Sequence, residues 1–273
     1  MKQLVHEMLN RLHGELAASF SKTTVSLRLQ RPMISFTFDD FPKSALKIAG
    51  DMLLNQGVRG TYYCAMGLMG LQVTEVGPMF ELDDLQELAR DGHELGCHTF
   101  GHVSCRQIAA ETLKQSCEEN RRRVVAALDG YQLCNFSFPH GEQTLPAKQA
   151  LAPVYKTCRT IRPGIHRGLV DFGSLRANQL YSHLDIGHLQ RLLDDNAGQP
   201  GWVIFYTHDI VSQPSPYGCT PGYFRDALRC AIQSGAEILT VGEAANRILC
   251  EANPVARDER DSAASRRGRG CGR

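Results

Sequence analysis

Between Met33 and Ala245 the chain alternates short, β-rich apolar runs with longer stretches in which apolar residues recur at helical spacing. That alternation marks βα units around a parallel sheet. The runs Met33–Phe38, Val58–Cys64, Glu94–Cys97, Cys134–Phe138, Val154–Thr160, Trp202–Thr207 and Glu237–Leu239 predict strands, and Ser44–Gln56, Leu82–Arg90, Cys105–Leu128, Ile186–Asp194, Tyr223–Gln233 and Val241–Leu249 predict helices. Seven strands with helices between them predict an α/β fold, a distorted (β/α) barrel; a doubly wound open sheet fits the same order. In either architecture the strand C-termini gather at one end, where active sites of such folds lie.

The flanks read differently. Residues 1–30 read as an N-terminal helix, amphipathic over Leu4–Leu16, followed by a linker; residues 31–250 form one domain. Residues 251–273 have no large apolar side chain after Val255 and are expected to be disordered. The RRGRG run at Arg266–Gly270 could touch nucleic acid or lipid, but a solvated tail is the simpler reading.

Charge narrows the partners. Lys and Arg total 30 against 29 Asp and Glu, so the chain has no general attraction for nucleic acid or an anionic membrane. The ten cysteines include no CxxC pair and mostly sit in apolar stretches, which suits buried thiols in a reducing compartment. The segment Met1–Phe20 lacks the continuous apolar core of an export signal, and no stretch of about 18 apolar residues occurs. The expectation is a cytoplasmic protein without a transmembrane span. Leu4–Leu16 leaves room for weak association with the inner face of a membrane, and an oligomer is left open.

Four segments carry chemistry, each at a predicted strand end. The first is Thr37-Phe38-Asp39-Asp40. Two adjacent carboxylates cannot both enter an apolar core, since burying an unpaired charge costs several kcal/mol; one should meet a cation and the other stay free to take a proton. Capping of the helix near Lys43 is the plain alternative. The second is His98-Thr99-Phe100-Gly101-His102, whose histidines four apart can reach one ion. A carboxylate from another strand end would complete a facial set of three with open positions for water and substrate. Third and fourth come Ser137-Phe138-Pro139-His140-Gly141 and Tyr206-Thr207-His208-Asp209. A histidine at the position of His208 can serve as a general acid, or simply satisfy a loop carbonyl.

In this order the four segments resemble the polysaccharide deacetylase superfamily, carbohydrate esterase family 4, over roughly Ile34 to Arg247. TFDD matches its first motif, HTFGH its H-[ST]-x-x-H, and FYTH its hydrophobic-x-His. The resemblance implies a divalent metal, zinc-type, on Asp40, His98 and His102, with Asp39 as general base and His208 as general acid. The family's R-x-P-Y motif is replaced by SFPH: Ser137 stands at the arginine and His140 at the tyrosine, whose backbone N–H helps bind the oxyanion. Arg159, Arg162 or Arg176 could supply the missing charge to Asp39, and Asp171 or Asp185 could orient His208. Pro139, Thr207 and the turn-rich loops carrying Arg162 and Tyr217 are the candidates for holding substrate, although rigid connectors would look alike.

The implied reaction is hydrolysis of the N-acetyl group of an acetamido sugar, in a polysaccharide, an oligosaccharide or a lipid-linked precursor. The SFPHG variant suggests a branch near bacterial surface polysaccharide synthesis. Two other readings stay open, an amidohydrolase of non-sugar amides or ureides and a catalytically silent sugar-binding homologue.

Overall fold

The computed structural model describes residues 23–252; the amphipathic Leu4–Leu16 stretch, Cys271 and the RRGRG run lie outside them. Ten strands occur: β1 (Thr24–Leu27), β2 (Met33–Phe38), β3 (Thr61–Cys64), β4 (Glu94–Cys97), β5 (Asn135–Ser137), β6 (Thr157–Arg159), β7 (Gly168–Asp171), β8 (Asn178–Gln179), β9 (Trp202–Thr207) and β10 (Glu237–Ile238). Eight of them form one parallel sheet ordered β6-β5-β4-β3-β2-β9-β8, with β10 pairing β2. The main helices are α1 (Asp51–Asn55), continuing a π-helical turn over Ala45–Gly50, α2 (Leu82–Arg90), α3 (Ala110–Ala127), α4 (Leu145–Leu151), α5 (Ile186–Gly198), α6 (Pro221–Gln233) and α7 (Val241–Ala252).

The barrel rather than the open sheet forms because one segment spans the gap between the outer strands. Cys158 donates its N–H to Phe172 O (2.7 Å), Leu175 donates to Cys158 O (2.8 Å) and Thr160 donates to Leu175 O (2.8 Å). A few residues later Asn178 and Gln179 pair with Phe205 and Tyr206 of β9. Residues 172–179 thus hydrogen-bond to β6 at their start and to β9 at their end.

Every residue of β2 and β9 is buried, as expected of parallel strands covered on both faces. Phe36, Phe38, Val203 and Phe205 join the larger core with Leu85, Leu113 and Phe224 of the helices. Met33, Trp202, Ile204 and Tyr206 join a second core with Leu175, Ala177 and, from α7, Val241, Ala244 and Ile248. Buried polar groups among these strands are bonded: Thr37 Oγ1 donates to Phe205 O (2.8 Å) and Trp202 Nε1 donates to Ser35 Oγ (3.0 Å).

Several boundaries differ from the sequence expectation. The part of 1–30 read as a linker contains β1, which pairs antiparallel with β7 and is tied in where Thr23 Oγ1 donates to Asp171 Oδ1 (2.8 Å). Neither β1, β7, β8 nor α4 was expected; the first three are two to four residues long, too short for a period to show. Val154–Lys156 is not strand, and Val154 is 61% exposed. The helix expected from Cys105 begins only at Ala110, because residues 99–109 are drawn into the site. Glu251 and Ala252, assigned to the tail, still belong to α7. Among the described residues no helix is long and apolar enough to cross a membrane.

Candidate active site

All four motif segments lie at C-terminal ends of parallel strands. Asp39 and Asp40 follow β2, His98 follows β4, His140 follows β5 and His208 follows β9. Backbone pairing runs past the strand ends, with Asp39 N–H donating to Thr207 O (2.9 Å) and His98 N–H to Cys64 O (3.0 Å), so both turns are held to the sheet. Five non-glycine residues among those described have left-handed φ: Asp40 (62°), Phe41 (62°), Thr99 (61°), His102 (51°) and His140 (56°). Each costs about 1–3 kcal/mol and persists only where surrounding contacts enforce it. All five sit on the three turns that build this site.

Asp40, His98 and His102 each point one donor atom into a common space, with those atoms within 4.8 Å of one another. His102 Nε2 lies 3.1 Å and His98 Nε2 3.4 Å from Asp40 Oδ1. His98 Nδ1 lies 2.8 Å from Ser137 O; a carbonyl can only accept, so Nδ1 carries the proton and Nε2 turns a lone pair toward Asp40. Asp40 Oδ1 is buried and has no hydrogen-bond donor of good geometry. A buried carboxylate oxygen facing imidazole lone pairs lacks a positive charge, and a cation supplies it. The donor set therefore fits a divalent metal of the zinc type.

Titration follows the same geometry. Burial alone would raise the Asp40 pKa, but its contact with His98 and the nearby His208 and His102 outweigh that and hold it well below the usual carboxylate range. His98 is raised: burial lowers it, and the Asp40 contact overcomes this. His102 is pushed down to about 4, first by burial and then by His98, so its imidazole is neutral and available as a ligand at pH 7.

Asp39, 4% exposed, meets a single cation. Arg159 Nη2 donates to Asp39 Oδ1 and Oδ2 and to Ser137 Oγ, and Nη1 donates to Thr160 O (3.1 Å). The fully buried guanidinium has its carbon 5.1 Å from the ring centroids of both Tyr63 and Tyr206, two cation–π contacts in a desolvated setting. Of the three arginines left open by the sequence, Arg159 is the one beside Asp39. Ser137 and Arg159 are paired residues on β5 and β6, so the guanidinium enters from the next strand and the small serine leaves it room. Arg162 is half-buried, its carbonyl accepting Ala177 N–H, and Arg176 Nη1 donates to Pro163 O.

His208 Nε2 lies 4.0 Å from Asp40 Oδ2, and its Nδ1 is 3.1 Å from Tyr217 O. A backbone carbonyl therefore orients this ring, in place of the carboxylates considered. Asp171 pairs with Lys148, and Asp185 accepts Gly187 N–H at the start of α5. Asp209, next to His208, is buried and folds the following loop by accepting Ser215 Oγ (2.6 Å) and Ser215 N–H (2.8 Å). That loop presents Tyr217, 45% exposed, with its ring centroid 5.7 Å from that of His208.

The remaining candidates divide. His140 is exposed on the rim, its ring centroid 4.4 Å from that of His102. Pro139 is buried under it. Thr207 is buried, with its hydroxyl turned to Tyr217 O (3.4 Å) and away from open space. The loop 162–165 is a braced connector: Gly164 N–H donates to Asn178 Oδ1 (2.9 Å), and Asn178 Nδ2 donates back to Gly164 O (3.0 Å). Tyr63 was missed in the sequence, and Tyr206, though part of FYTH, was given no role beside Arg159. Their only signal was a position on strands next to the TFDD strand.

Residues 27–154 match the family model for polysaccharide deacetylase. Comparison with curated proteins gives no match. Solved structures do match. A family 4 acetyl xylan esterase from Clostridium thermocellum, in complex with a cobalt ion, superposes with a TM-score of 0.54 at 16% identity, covering 77% of this chain and 89% of that one. Bacillus subtilis PdaA, a family 4 carbohydrate esterase, gives 0.54 at 12% identity, covering 84% and 86%. The carbohydrate esterase 4 domain of a xylanase from the hindgut metagenome of Trinervitermes trinervoides gives 0.52 at 17%, covering 78% and 89%. At these identities the structural likeness establishes the fold, and a family 4 pseudoenzyme shares it. The matched segment, 128 of the 273 residues, is similar to polysaccharide deacetylases and contains Asp39, Asp40, His98, His102 and His140.

Proposed function

We propose that this protein is a metal-dependent deacetylase that hydrolyses the N-acetyl group of an acetamido sugar. The observation that carries the reading is the juxtaposition of a convergent Asp40–His98–His102 set with a separate carboxylate, Asp39, held by Arg159. A sugar-binding protein has no use for a second buried carboxylate beside a cation site, so this pairing favours catalysis over the silent reading.

A divalent ion on Asp40, His98 and His102 would polarise the acetamide carbonyl and make water more acidic at neutral pH. Asp39, fixed by Arg159 and retaining lone pairs toward the site, takes the proton of the attacking water. The His140 backbone N–H, on a left-handed turn at the rim, donates to the oxyanion as the carbonyl carbon becomes tetrahedral. His208, its Nδ1–H held by Tyr217 O, directs Nε2 at the leaving nitrogen and, with the ring protonated on both nitrogens at this step, delivers the Nε2 proton there and is left neutral. The C–N bond breaks, giving acetate and a free amine. Tyr217 offers an exposed ring beside this opening on which a pyranose can stack.

The substrate we favour is a soluble or lipid-linked precursor of a bacterial surface polysaccharide, met in the cytoplasm. Cys64, Cys97, Cys105, Cys117, Cys158 and Cys219 are buried free thiols, which supports a reducing compartment. The test of function is acetate release from N-acetylglucosamine oligosaccharides and nucleotide-linked N-acetyl sugars, run beside ammonia release from ureides. Acetate with metal, and none after chelation, is expected; ammonia alone would move the protein to the amidohydrolase reading. Thiol titration of unreduced, denatured protein tests the compartment, and quantitative disulfides would overturn it.

A further inference from the structure

His102 and His140 come from different turns, 98–109 and 138–142, which no strand pairing joins beyond β4 and β5. Thr99, His102 and His140 all hold left-handed backbone, and such turns relax unless tertiary contacts fix them. Within the first turn Thr99 Oγ1 accepts Val103 N–H (3.1 Å), and its outer side is held where Phe100 O accepts Gly67 N–H (2.8 Å). Between the two turns stands Glu142, two residues beyond His140 and only 5% exposed. Its carboxylate accepts the Ser104 hydroxyl and lies 3.9 Å from the Arg106 guanidinium; Ser104 Oγ in turn accepts Arg106 N–H (3.3 Å). Ser104 and Arg106 follow His102 by two and four residues.

Burying a carboxylate on a surface turn is costly unless its bonds are strong. Nothing in the proposed proton transfers uses Glu142. We infer that Glu142 is a positioning residue: by bracing the 138–142 turn against the 98–109 turn it sets the His102 imidazole, and the His140 N–H opposite it, at the spacing a bound metal and its substrate require. The inference rests on the proposed metal site. Outer partners of this kind typically carry about 10–100-fold in metal affinity or activity.

The test uses the whole chain with Glu142→Gln and, as an independent route to the same contact, Ser104→Ala, with Ser104→Thr as the conservative control. Zinc affinity is read by competition with a chromophoric chelator in the absence of substrate, the Tm of metal-free protein is read alongside it, and kcat and KM are measured on an N-acetylated oligosaccharide. Expected are zinc affinity about 10–100-fold weaker in Glu142→Gln and Ser104→Ala, a lower kcat with KM little changed, a metal-free Tm close to wild type, and wild-type zinc affinity in Ser104→Thr. Zinc affinity unchanged in both variants, or lost only in step with Tm, would show Glu142 to be a structural contact and overturn the inference. Should Glu142→Gln fail to fold, Ser104→Ala decides by the same criteria. Because zinc binding needs no substrate, a wild-type protein that binds zinc but releases no acetate would sink the proposed reaction and leave this comparison readable.

Discussion

Arg159 reaches Asp39 from β6, and its register partner on β5 is Ser137. Ser137 stands where the family resemblance places an arginine, so the charge beside Asp39 comes from the next strand, by way of Arg159. Tyr63 and Tyr206 each place a ring 5.1 Å from the Arg159 guanidinium carbon. Gly96 makes the first of these possible, since a Cβ there would come within 2.4 Å of the Tyr63 ring.

This relationship predicts an exchange. Arg159→Ser should leave Asp39 buried without its cation, costing about 3–5 kcal/mol of stability and at least about 100-fold in kcat/KM, the scale of a disabled general base. Adding Ser137→Arg returns the guanidinium from the adjacent strand and should restore tenfold or more of that loss. Urea unfolding and steady-state kinetics on the three proteins check this; a double variant no better than Arg159→Ser would contradict it.

The barrel and the convergence of Asp40, His98 and His102 were legible in the sequence because each follows a short-range rule. Trp202–Thr207 is an unbroken run of β-forming residues, and both it and Glu94–Cys97 were bounded to the residue. HTFGH and TFDD announce ligands by spacing at strand ends. Arg159 was only one of three candidates, because its assignment depends on which strand lies beside β5, a long-range fact. For His208 the sequence offered only Asp171 and Asp185 as candidate partners, whereas the ring meets the Tyr217 carbonyl, a group every residue carries and no sequence can single out. The helix start at Ala110 was missed for a related reason: the helix was expected from Cys105, yet Ser104 and Arg106 meet Glu142 and hold residues 105–109 outside it.

Gly141 has φ 67°, and a Cβ there would lie 2.1 Å from Ile161 Cγ1. Gly141→Ala should therefore destabilise by about 1–3 kcal/mol through overpacking and a strained φ. Since Ile161 is 36% exposed, Ile161→Ala should cost little alone and recover part of the loss in the double variant. Chemical denaturation of the four proteins measures the coupling, and simple additivity would contradict the contact.

Acid sensitivity has a definite sign. His93 and His166 are both pushed down to about 4, chiefly by burial, and each accepts a backbone N–H at a ring nitrogen, from Gly60 (3.0 Å) and Arg176 (3.1 Å). In the unfolded chain histidine binds its proton near pH 6.5. Between about 6.5 and 4 the unfolded state thus holds more protons, and stability falls as pH drops, by on the order of 2 kcal/mol per imidazole over the window. Metal-free protein unfolded in urea at pH 7 and pH 5 should show the decline, and His166→Asn should show less of it. An identical slope in the variant would contradict the assignment.

Base and ligand roles separate by substitution. Asp39→Asn should keep zinc at wild-type stoichiometry and lose about 10²–10⁴-fold in kcat, because an amide cannot take the water's proton. His102→Ala should lose zinc and activity together. Metal analysis after gel filtration, with acetate release on the same samples, distinguishes them; near wild-type turnover of Asp39→Asn would remove that residue from the mechanism.

The central claim is that Asp40, His98 and His102 converge on one divalent ion beside Asp39, and anomalous scattering from a crystal grown with zinc, collected at the zinc absorption edge, tests it most directly. The account predicts one strong peak about 2.0–2.2 Å from an Asp40 oxygen, His98 Nε2 and His102 Nε2, with Asp39 alongside and not coordinating. A peak on cysteine sulfurs, or no peak at this triad in zinc-saturated protein, would contradict it.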